Sequence, residues 1–351
     1  MYWRGVHVTK VLLHAGERGS RIEEPLLHAG FSVVGIPTKP TQRNKILKFF
    51  SLMKVILKED PDCIIVDSAG LMCVSAYFLS RIFRIPHILR VRADIWAIHE
   101  EQKEYYNGVR RMYELVLLKL CEAVFKRATK LFPISEYLKG IMKKKGIKEE
   151  IVRVMRISID GERFHPSKDE DKLIRLLSVS NLSFKRKTEG IVDVIPVIDE
   201  VISKYENVEY KIAGKGMFSQ MLEETLKNIK NKDKISYIGY KKDIEKLFSH
   251  ADIFVHYSHL DAYPAAVLEA MASSTPVIAT KFGGMVEQVE EGVTGFLVDD
   301  LSSFKDALEM LIRDKKMREE MGKKGRLYVL RTCNIAVVGE SYKKAIDELL
   351  R

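Results

Sequence analysis

The chain has 351 residues, of which 46% are hydrophobic and 30% are charged, and no apolar run approaches the ~20 residues of a membrane-spanning helix. This composition excludes a disordered chain and a membrane-embedded one, and it predicts a globular protein long enough for two domains. The four cysteines show neither paired nor metal-ligand spacing, and we recognise no signal peptide, so we expect reduced thiols and a cytoplasmic protein.

The charge is unevenly distributed along the chain. The formal net charge is +10, and residues 1–167 contain 29 Lys or Arg against 18 Asp or Glu, whereas residues 168–351 contain 29 against 30. All of the excess positive charge therefore lies in the first half. One interpretation is that this half meets an anionic partner, such as a membrane surface or a nucleic acid. The other is that its lysines are simply solvated.

In chain order, short apolar runs alternate with amphipathic segments that are typical of helices. The first half contains candidate strands at residues 6–13, 31–36, 63–67, 87–91, 130–133 and 152–157. The second half contains candidate strands at residues 173–179, 208–213, 235–238, 253–257, 276–279 and 295–298. Helical segments lie between most of them. This alternation predicts an α/β protein with two doubly wound parallel sheets, each covered by helices on both faces.

The polar stretch at residues 165–172 separates the two sets of strands and is the predicted linker. We therefore place an N-terminal domain at residues 1–167, a C-terminal domain at residues 168–332, and a final helical segment at residues 333–351 that packs back on the first domain. Doubly wound sheets bind ligands at the carboxyl ends of their strands, and two such domains facing one another form a cleft. The loops that follow the strands are thus the expected place for chemistry.

One segment of the second half combines an apolar helix with two carboxylates, because residues 261–280 read DAYPAAVLEAMASSTPVIAT. A strand ends at Tyr257, a loop follows, and Pro264 suits the first turn of the next helix. Asp261 then lies just before a helix N-terminus, whose free N–H groups favour negative charge such as phosphate, and Glu269 lies inside the helix. The alternative is that Asp261 caps the helix and Glu269 faces water. A carboxylate inside so apolar a helix, however, either faces a cleft or is buried and paired.

Three further segments follow strands of the second half. Residues 179–190 (VSNLSFKRKTEG) carry three adjacent cations, residues 211–217 (KIAGKGM) carry two glycines, and residues 280–298 begin with a Gly-Gly pair before a short helix. The residues concerned are Lys185, Arg186, Lys187, Gly214, Gly216, Gly283, Gly284 and Glu287. Cations and glycines at strand ends suit phosphate binding and the close approach of a ligand. The alternatives are a solvated cationic surface and ordinary tight turns.

Together and in this order, these segments resemble the donor-binding domain of retaining glycosyltransferases of family 4 (glycosyl transferases group 1). That family has the GT-B fold, in which two Rossmann-like domains face each other across a cleft. Asp261 and Glu269 occupy the acidic positions of its E-x7-E motif, and YIGY, DIEKLFSHADIFV, IAGKGM, LEAMASSTPVIAT, GGMVE and EGVTGFLV match neighbouring segments. KRATKLFPISEYLKGIM and ISIDGERFHP extend the resemblance, which is specific over residues 128–298 and architectural before them.

The resemblance implies a role for each matching residue. Glu269 is expected to accept hydrogen bonds from the ribose hydroxyls of a nucleotide-sugar, and Asp261 to face the sugar or the reacting centre. Lys187, with Arg186 or Lys185, is expected to hold the diphosphate and to stabilise its charge as the glycosidic bond breaks. The donor is further expected beside Asn181, Gly214, Gly216, Tyr263, Pro264, Ala265, Gly283, Gly284 and Glu287. The resemblance implies no metal and no other cofactor.

The C-terminal half departs from the family pattern at three places. Asp261 is one methylene shorter than the family's Glu. Asn181 stands where an Arg is usual, which removes one phosphate-binding cation, and the cationic cluster at residues 185–187 can compensate for it. The family's Pro-Ser is replaced by Tyr257 and Ser258.

The N-terminal half departs further from the family. Its first loop, HAGERGSRI, offers Gly16 and Gly19 where the family often has Gly-Gly. After the fourth strand, where many members have a His facing the sugar, this chain reads LRVRADIWAIHEE. Arg92 and Asp94 stand nearest that place, and we expect them to face the acceptor or the sugar. His99 is the nearest histidine, and a lone His there is more often a surface residue.

For the acceptor, residues 41–60 form a basic amphipathic helix with Phe49 and Phe50, and residues 139–148 add more lysines. The apolar stripe of that helix is either part of the core, as in any doubly wound domain, or a contact with anionic lipid. Each Lys near such a surface contributes roughly 1 kcal/mol. The lipid interpretation predicts peripheral attachment to the inner face of the cytoplasmic membrane and an acceptor carried on a membrane lipid.

The sequence thus predicts a retaining, metal-independent glycosyltransferase that moves a sugar from a nucleotide-diphosphate-sugar to a hydroxyl of a glycan or lipid-linked glycan. One alternative is a non-catalytic module that binds a nucleotide, a membrane or nucleic acid. No nucleic-acid-binding motif is present, so we expect no such partner. Another alternative is a different GT-B enzyme, a phosphorylase or a nucleotide-sugar epimerase, against which the segment LEAMASSTPVIAT argues.

Overall fold

The computed structural model describes residues 8–15, 20–36, 45–67, 69–167 and 171–351, which form two compact units. The first unit comprises Met1–Ser158 together with Ile335–Arg351, and the second comprises Ile159–Asn334. Each unit is an α/β domain built on one parallel sheet, as the sequence predicts. Among the described residues, no helix is long and apolar enough to cross a membrane.

The first unit contains a five-stranded sheet whose strands are all parallel. The strands are β1 (Lys10–His14), β2 (Ser32–Gly35), β3 (Cys63–Val66), β4 (His87–Val91) and β5 (Lys130–Pro133). Their spatial order is β2-β1-β3-β4-β5, so the winding direction reverses between β1 and β3. Strands β3 and β4 are buried along their whole length, because helices cover both faces of the sheet.

Helices separate the strands of the first unit. They are α1 (Ser20–His28), α2 (Lys45–Glu59), α3 (Leu71–Phe83), α4 (Ile95–Gln102), α5 (Gly108–Phe125) and α6 (Glu136–Lys144). Leu12 and Ile64 point to one face of the sheet and share a core with α2, α3 and α5. Val11 and Ile65 point to the opposite face and share a core with α1. This alternation follows from the two-residue period of a strand.

The predicted strand at residues 152–157 is wrong. Val152 pairs with Leu131 through one isolated bridge, and the N–H groups of Arg153 and Met155 donate to the carbonyls of Leu131 and Pro133. These bonds hold the segment alongside β5 but are too few to form a ladder. The other predicted strands are confirmed with small shifts of their ends, although residues 6 and 7 of the first lie outside the described residues.

The predicted helix at residues 41–60 corresponds to α2, and residues 41–44 lie outside the described residues. Leu52 and Ile56 of α2 are buried in the core with α3, and Phe49 packs against the same core. Phe50 and Leu57 are exposed. Most of the apolar stripe of this helix is therefore core, which is the first of the two interpretations given above.

The second unit contains a six-stranded parallel sheet. Its strands are β6 (Ile174–Asn181), β7 (Val208–Lys215), β8 (Ile235–Gly239), β9 (Ile253–His256), β10 (Val277–Thr280) and β11 (Gly295–Val298). Their spatial order is β11-β10-β9-β6-β7-β8, so the chain winds away from the β6–β9 pair in both directions. A doubly wound sheet binds its ligand outside the carboxyl ends of the strands at this switch point.

Helices connect and cover these strands. They are α7 (Lys185–Lys204), α8 (Ser219–Leu226), α9 (Ile244–His250), α10 (Ala265–Ala272), α11 (Met285–Gln288), α12 (Leu301–Arg313) and α13 (Lys315–Thr332). Helices α7 and α12 pack on one face of the sheet around a core that includes Val194 and Leu308. Helix α10 packs against α9 and α13 and is buried from Val267 onwards.

Residues 159–167 belong to the second unit, although the sequence assigned them to the first domain. The N–H of Ile159 donates to the carbonyl of Cys333 at 2.7 Å. The guanidinium of Arg326 donates to the carbonyls of Gly161 at 3.1 Å and Phe164 at 2.8 Å. These bonds tie the segment to α13, so the compact units divide after Ser158 and not after residue 167.

The last helix, α14 (Ile335–Leu350), follows the second unit in the chain but is part of the first unit. It packs against α1, where Gly339 faces the carbonyl of Pro25 and leaves no room for a Cβ. Tyr342 is fully buried beside Phe132 of β5. Helix α14 therefore completes one face of the first sheet.

Candidate active site

The loops after β6 and β9 lie together at the switch point of the second sheet. The β6 loop leads into α7, and the β9 loop leads into α10. Gly190 of α7 lies so close to the backbone of Tyr257 and Ser258 that a Cβ at this position would collide with them. This close packing places the start of α7, with its cations, directly against the β9 loop.

Lys187 and Asp261 form an ion pair in this place. The Nζ atom of Lys187 lies 2.5 Å from Oδ1 of Asp261, and the two side chains are 19% and 9% exposed. The ammonium also lies 5.5 Å from the centroid of the Phe184 ring. Because both charges are largely withdrawn from water, their attraction is less screened than that of a surface pair.

The second oxygen of Asp261 has partners of its own. Its Oδ2 lies 3.0 Å from Nε2 of His256 and accepts a hydrogen bond from the hydroxyl of Ser258 at 3.2 Å. Burial alone would raise the pKa of Asp261. The charge of Lys187 and the hydrogen bonds from His256 and Lys187 outweigh burial and hold this pKa well below its usual range. Asp261 is therefore an ionised acid with both oxygens engaged.

His256 and Ser258 were not predicted as site residues, and Ser258 was noted only as part of the replacement of the family's Pro-Ser. His256 is the last residue of β9, buried and stacked on Phe254, and Ser258 follows it by two positions. The available signal was their place, because polar residues at the carboxyl end of a strand beside a switch point face the ligand edge. Their partnership with Asp261 depends on the course of the loop, which the residue pattern did not reveal.

Glu269 is buried within α10, with 6% of its surface exposed. Its charge acts on Arg163, which also donates a hydrogen bond to Glu245 at 2.9 Å. The hydrogen bond to Glu245, followed by the charges of Glu245 and Glu269, raises the pKa of Arg163 against the opposing effect of burial. Arg163 is a further charged residue near Glu269 that the sequence analysis missed.

Two of the predicted glycines allow neighbouring loops to pack backbone to backbone. A Cβ on Gly216 would collide with the backbone of Leu182 and Ser183. A Cβ on Gly284 would collide with the carbonyl of Ala262. The space that these glycines leave is filled by the β6 and β9 loops, so the glycines shape the two loops that carry Lys187 and Asp261.

Gly214 and Gly283 adopt backbone conformations that favour glycine, with φ of 154° and 57°. Gly214 is the penultimate residue of β7 and lies against the carbonyl of Ser180, and Gly283 precedes the short helix α11. Glu287 lies in α11, and its carbonyl accepts a hydrogen bond from the hydroxyl of Tyr328 at 3.0 Å. These residues lie at the strand ends where the sequence placed them.

The residues before α10 are also held by neighbours. Tyr263 is buried, and its hydroxyl lies 3.9 Å from Sγ of Cys333. The carbonyl of Pro264 accepts a hydrogen bond from Nε2 of Gln288 at 2.9 Å, and Ala265 is the first residue of the helix. The start of α10 is thus fixed by side chains of α11 and of the segment after α13.

The three adjacent cations differ in their surroundings. Lys187 turns to Asp261, Lys185 lies 3.5 Å from Glu189 on the same helix, and Arg186 is exposed. Asn181 is exposed at the end of β6, and its Oδ1 accepts a hydrogen bond from the N–H of Ser183 at 3.1 Å. Lys187 is therefore the cation of this cluster that the structure fixes most firmly.

In the first unit, Arg92 is held by a buried acid. Its Nε lies 3.2 Å from Oδ2 of Asp67, and Nη1 of Arg90 lies 2.8 Å from Oδ1 of the same carboxylate. Asp67 and Arg90 are almost fully buried, whereas Arg92 is 39% exposed. The carboxylate that follows β3 thus positions a half-exposed guanidinium beyond the end of β4.

Asp94 caps a helix. Its Oδ1 accepts hydrogen bonds of 3.0 Å from the N–H groups of Trp96 and Ala97, which belong to the first turn of α4. The predicted roles of Arg92 and Asp94 toward an acceptor stay predictions, and the structure gives each a contact within its own unit. Gly16 and Gly19 lie outside the described residues.

Residues 160–328 match the family model of the glycosyl transferases group 1. The chain is 26% identical over 323 residues to the capsular polysaccharide biosynthesis glycosyltransferase CapM of Staphylococcus aureus. This alignment covers 86% of the chain and 81% of CapM. This chain is a glycosyltransferase.

Solved structures give this glycosyltransferase the GT-B fold. HepE of Anabaena, crystallised with UDP-glucose, aligns with a TM-score of 0.74 at 15% identity, over 97% of this chain and 99% of that one. Sucrose-phosphate synthase of Thermosynechococcus elongatus aligns with a TM-score of 0.77 at 15% identity, over the same fractions. The predicted resemblance to GT-B glycosyltransferases of group 1 and the predicted architecture of two Rossmann-like domains are therefore confirmed.

Proposed function

We propose that this glycosyltransferase transfers a sugar from a nucleotide-diphosphate-sugar to a hydroxyl of a glycan, with retention of the anomeric configuration and without a metal ion. The cluster of Lys187, Asp261 and His256 at the switch point of the second sheet carries the proposal. The relatives suggest the substrate classes, because CapM is named for capsular polysaccharide biosynthesis and HepE was solved with UDP-glucose. A UDP-sugar is thus the first donor class to test.

Lys187 is the residue that we propose to contact the donor diphosphate. Asp261 holds its ammonium at the switch point before any donor arrives, so little side-chain freedom is lost on binding. A cation held ~4 Å from a phosphate charge contributes at most about 4 kcal/mol in a partly screened cleft. Asp261 then positions Lys187 and lies beside the sugar. This double role favours a short acid whose oxygens stay with Lys187 and His256.

The reaction requires charge stabilisation on the leaving group. The bond between the anomeric carbon and the phosphate oxygen breaks, and its electron pair stays on the nucleoside diphosphate. The acceptor oxygen bonds to the anomeric carbon on the same face, and its proton passes to the oxygen of the departing nucleoside diphosphate. Lys187, with Arg186 or Lys185, would stabilise the diphosphate charge as it develops. In this proposal, these cationic side chains neutralise the leaving group in place of a metal ion.

We propose that Glu269 accepts hydrogen bonds from the ribose hydroxyls. Glu269 is buried in an apolar helix, and its charge acts on the nearby Arg163. A carboxylate can accept two hydroxyl protons at once, which suits a vicinal diol. In the first unit, Arg92 beside Asp67 is the residue that we propose to face the acceptor, a glycan or lipid-linked glycan.

A thermal-shift panel of nucleotide-sugars tests the donor assignment, because a ligand that binds the folded protein raises its melting temperature. We expect UDP or a UDP-sugar to stabilise the wild type and to lose this effect in Glu269→Ala. Glu223→Ala, on the exposed side of α8, serves as the matched control and should respond as the wild type does. Full stabilisation of Glu269→Ala by the donor would refute the assignment.

Product analysis tests the finer claims. With a donor and acceptor that support turnover, the anomeric proton of the product, followed by NMR, should show the configuration of the donor. Turnover should be unchanged by a chelator. An inverted product, or activity that disappears with chelator and returns with a divalent cation, would contradict retention or metal independence.

A further inference from the structure

Helix α5 is buried at one end only. Its last residues, including Cys121, Val124 and Phe125, belong to the core of the first unit. The preceding residues, from Gly108 to Val116, are exposed except for Glu114. A helix of 18 residues is about 27 Å long, so roughly half of α5 extends beyond the core that anchors it.

The exposed part of α5 carries an aliphatic stripe. Val109 is 88% exposed, Met112 is 63% exposed, and Val116 and Leu120 are also exposed. Their spacing of three or four residues places them along one side of the helix. Single exposed aliphatic residues are ordinary, but an aligned row of them on one helix indicates a surface that a membrane or a protein partner covers.

Cations accompany this stripe. Arg110 and Arg111 are exposed in the same turn, and among the described residues no carboxylate pairs with either of them. The guanidinium of Arg110 lies 4.0 Å above the ring of Tyr106, and Lys119 pairs with Glu122. The whole excess of positive charge in this protein lies in residues 1–167, which include α5. Aliphatic side chains beside uncompensated guanidinium groups are complementary to the acyl region and the phosphates of an anionic bilayer.

We propose that the exposed half of α5 docks the protein on an anionic lipid surface, with Val109, Met112 and Val116 in the interface and Arg110 and Arg111 at the lipid phosphates. The proposal rests on the proposed function in one respect, because a lipid-linked glycan acceptor lies at such a surface. It replaces α2 as the lipid-facing helix, since most of the apolar stripe of α2 is packed in the core.

A second copy of the chain fits this surface less well. Stable subunit interfaces bury about 800 Å² on each partner. A row of four aliphatic side chains on one half-exposed helix offers on the order of a few hundred Å². Its flanking arginines would also face the arginines of an identical partner across a two-fold axis, which is unfavourable.

Vesicle co-sedimentation of the full chain tests the proposal. Wild type should sediment with vesicles of equal parts phosphatidylglycerol and phosphatidylcholine and should remain in solution with phosphatidylcholine alone. The double variant Val109→Glu/Val116→Glu should bind the anionic vesicles roughly ten-fold more weakly, because it places acids in the apolar interface. Arg110→Gln/Arg111→Gln should bind the anionic vesicles more weakly than wild type, and its remaining binding should depend less on salt.

The matched control is Met310→Glu, which adds an acid at an exposed aliphatic position of α12 in the second unit. It should bind vesicles as the wild type does, and all variants should keep the wild-type melting temperature because the altered side chains are exposed. Equal binding of wild type to neutral and anionic vesicles, no binding at all, or full binding by Val109→Glu/Val116→Glu overturns the proposal. A dimer in light scattering that this double variant dissociates, without vesicle binding, also overturns it in favour of a subunit contact.

The thermal shift with UDP-glucose separates this proposal from the proposed function. Val109→Glu/Val116→Glu should keep the full donor-induced shift, because α5 belongs to the first unit and the donor cluster belongs to the second. Loss of vesicle binding with an intact donor shift supports lipid docking. Wild type that shows the donor shift but fails to bind anionic vesicles disproves docking alone, whereas vesicle binding without any donor shift disproves the donor assignment alone.

Discussion

Each of the two sheets carries a buried acid at its switch point, and the two acids have different partners. Asp67 follows β3 in the first unit and pairs with Arg90 and Arg92. Asp261 follows β9 in the second unit and pairs with Lys187 and His256. Both sites lie at the carboxyl ends of central strands, so topology places a carboxylate at the ligand edge of each sheet.

The difference lies in how each partner is held. Arg90 belongs to a central strand and is 2% exposed, and its guanidinium keeps its charge at any pH that the fold survives. Lys187 belongs to the first turn of a helix and is 19% exposed. The Asp67 site is therefore built into the core, whereas the Asp261 site has a cation at the edge of the sheet that a ligand can meet. Disrupting the first should affect stability, and disrupting the second should affect turnover.

The largest effect is expected for Arg90→Met. The substitution leaves Asp67 buried with one partner fewer, and breaking a buried ion pair costs about 3–5 kcal/mol of unfolding free energy. Urea denaturation, compared at equal m-values, measures the loss. Arg92→Met is the matched control and should cost less, because its guanidinium is 39% exposed and such pairs contribute about 0–1 kcal/mol. Equal losses in the two variants would contradict the distinction between them.

Lys187→Met should reduce turnover with a saturating donor by roughly 10²–10³-fold, the effect of removing one charge-stabilising group from a transition state. Its unfolding free energy should fall less than that of Arg90→Met, because Asp261 keeps His256 and Ser258. Lys204→Met, at the last residue of the same helix and paired with Glu309, is the control and should retain most of the activity. If Lys187→Met kept the wild-type turnover, the proposal that Lys187 contacts the donor diphosphate would be wrong.

Acid should weaken the Asp261 site in a defined pH range. Because the pKa of Asp261 is lower in the folded protein than the value of about 3.9 in an unfolded chain, its ionised form stabilises the fold above that value. This contribution, of the order of 2 kcal/mol, should decline as the pH falls below about 4. The difference in unfolding free energy between wild type and Asp261→Asn should therefore be constant above about pH 5 and shrink on further acidification. If the difference in unfolding free energy grew below pH 4, the pKa of Asp261 would be raised on folding and not lowered.

The smallest effect is expected at Asp94. Asp94→Ala removes the cap of α4 and should lower the unfolding free energy by about 1 kcal/mol. Asp94→Ser keeps a capping oxygen and should be close to wild type in thermal unfolding. If Asp94→Ser is stable but raises the KM for the acceptor, the residue also faces the acceptor, and the first unit then has a ligand group at this edge as the second does.

The features of the site that depend on local sequence were predictable. The run from Asp261 to Thr280 specifies a loop, a buried helix and a buried strand, and the structure has all three in that order. The pair of Lys187 and Asp261 was not predictable as a contact, because the residues are 74 positions apart. Their meeting depends on the pairing of β6 with β9, and the alternation of strands and helices does not specify which strands are neighbours.

Other outcomes show where local signals mislead. Residues 152–157 read as a strand because four of the six residues are apolar. A strand also needs a partner that bonds along its length, and this segment has one isolated bridge. Asp94 attracted a functional interpretation, although an Asp just before a helix is first of all a cap. The membrane interpretation of residues 41–60 failed for most of the stripe because amphipathicity predicts a buried side without saying what covers it.

The return of α14 to the first unit has a consequence for biosynthesis. The first sheet emerges from the ribosome early, but the helix that covers the side of Phe132 follows only after Ile159–Asn334 have been made. At 5–20 residues per second this interval lasts roughly 10–35 seconds. During this interval, one apolar side of the nascent first sheet lacks Tyr342 and the rest of α14. The second unit can therefore complete its folding before the first one does.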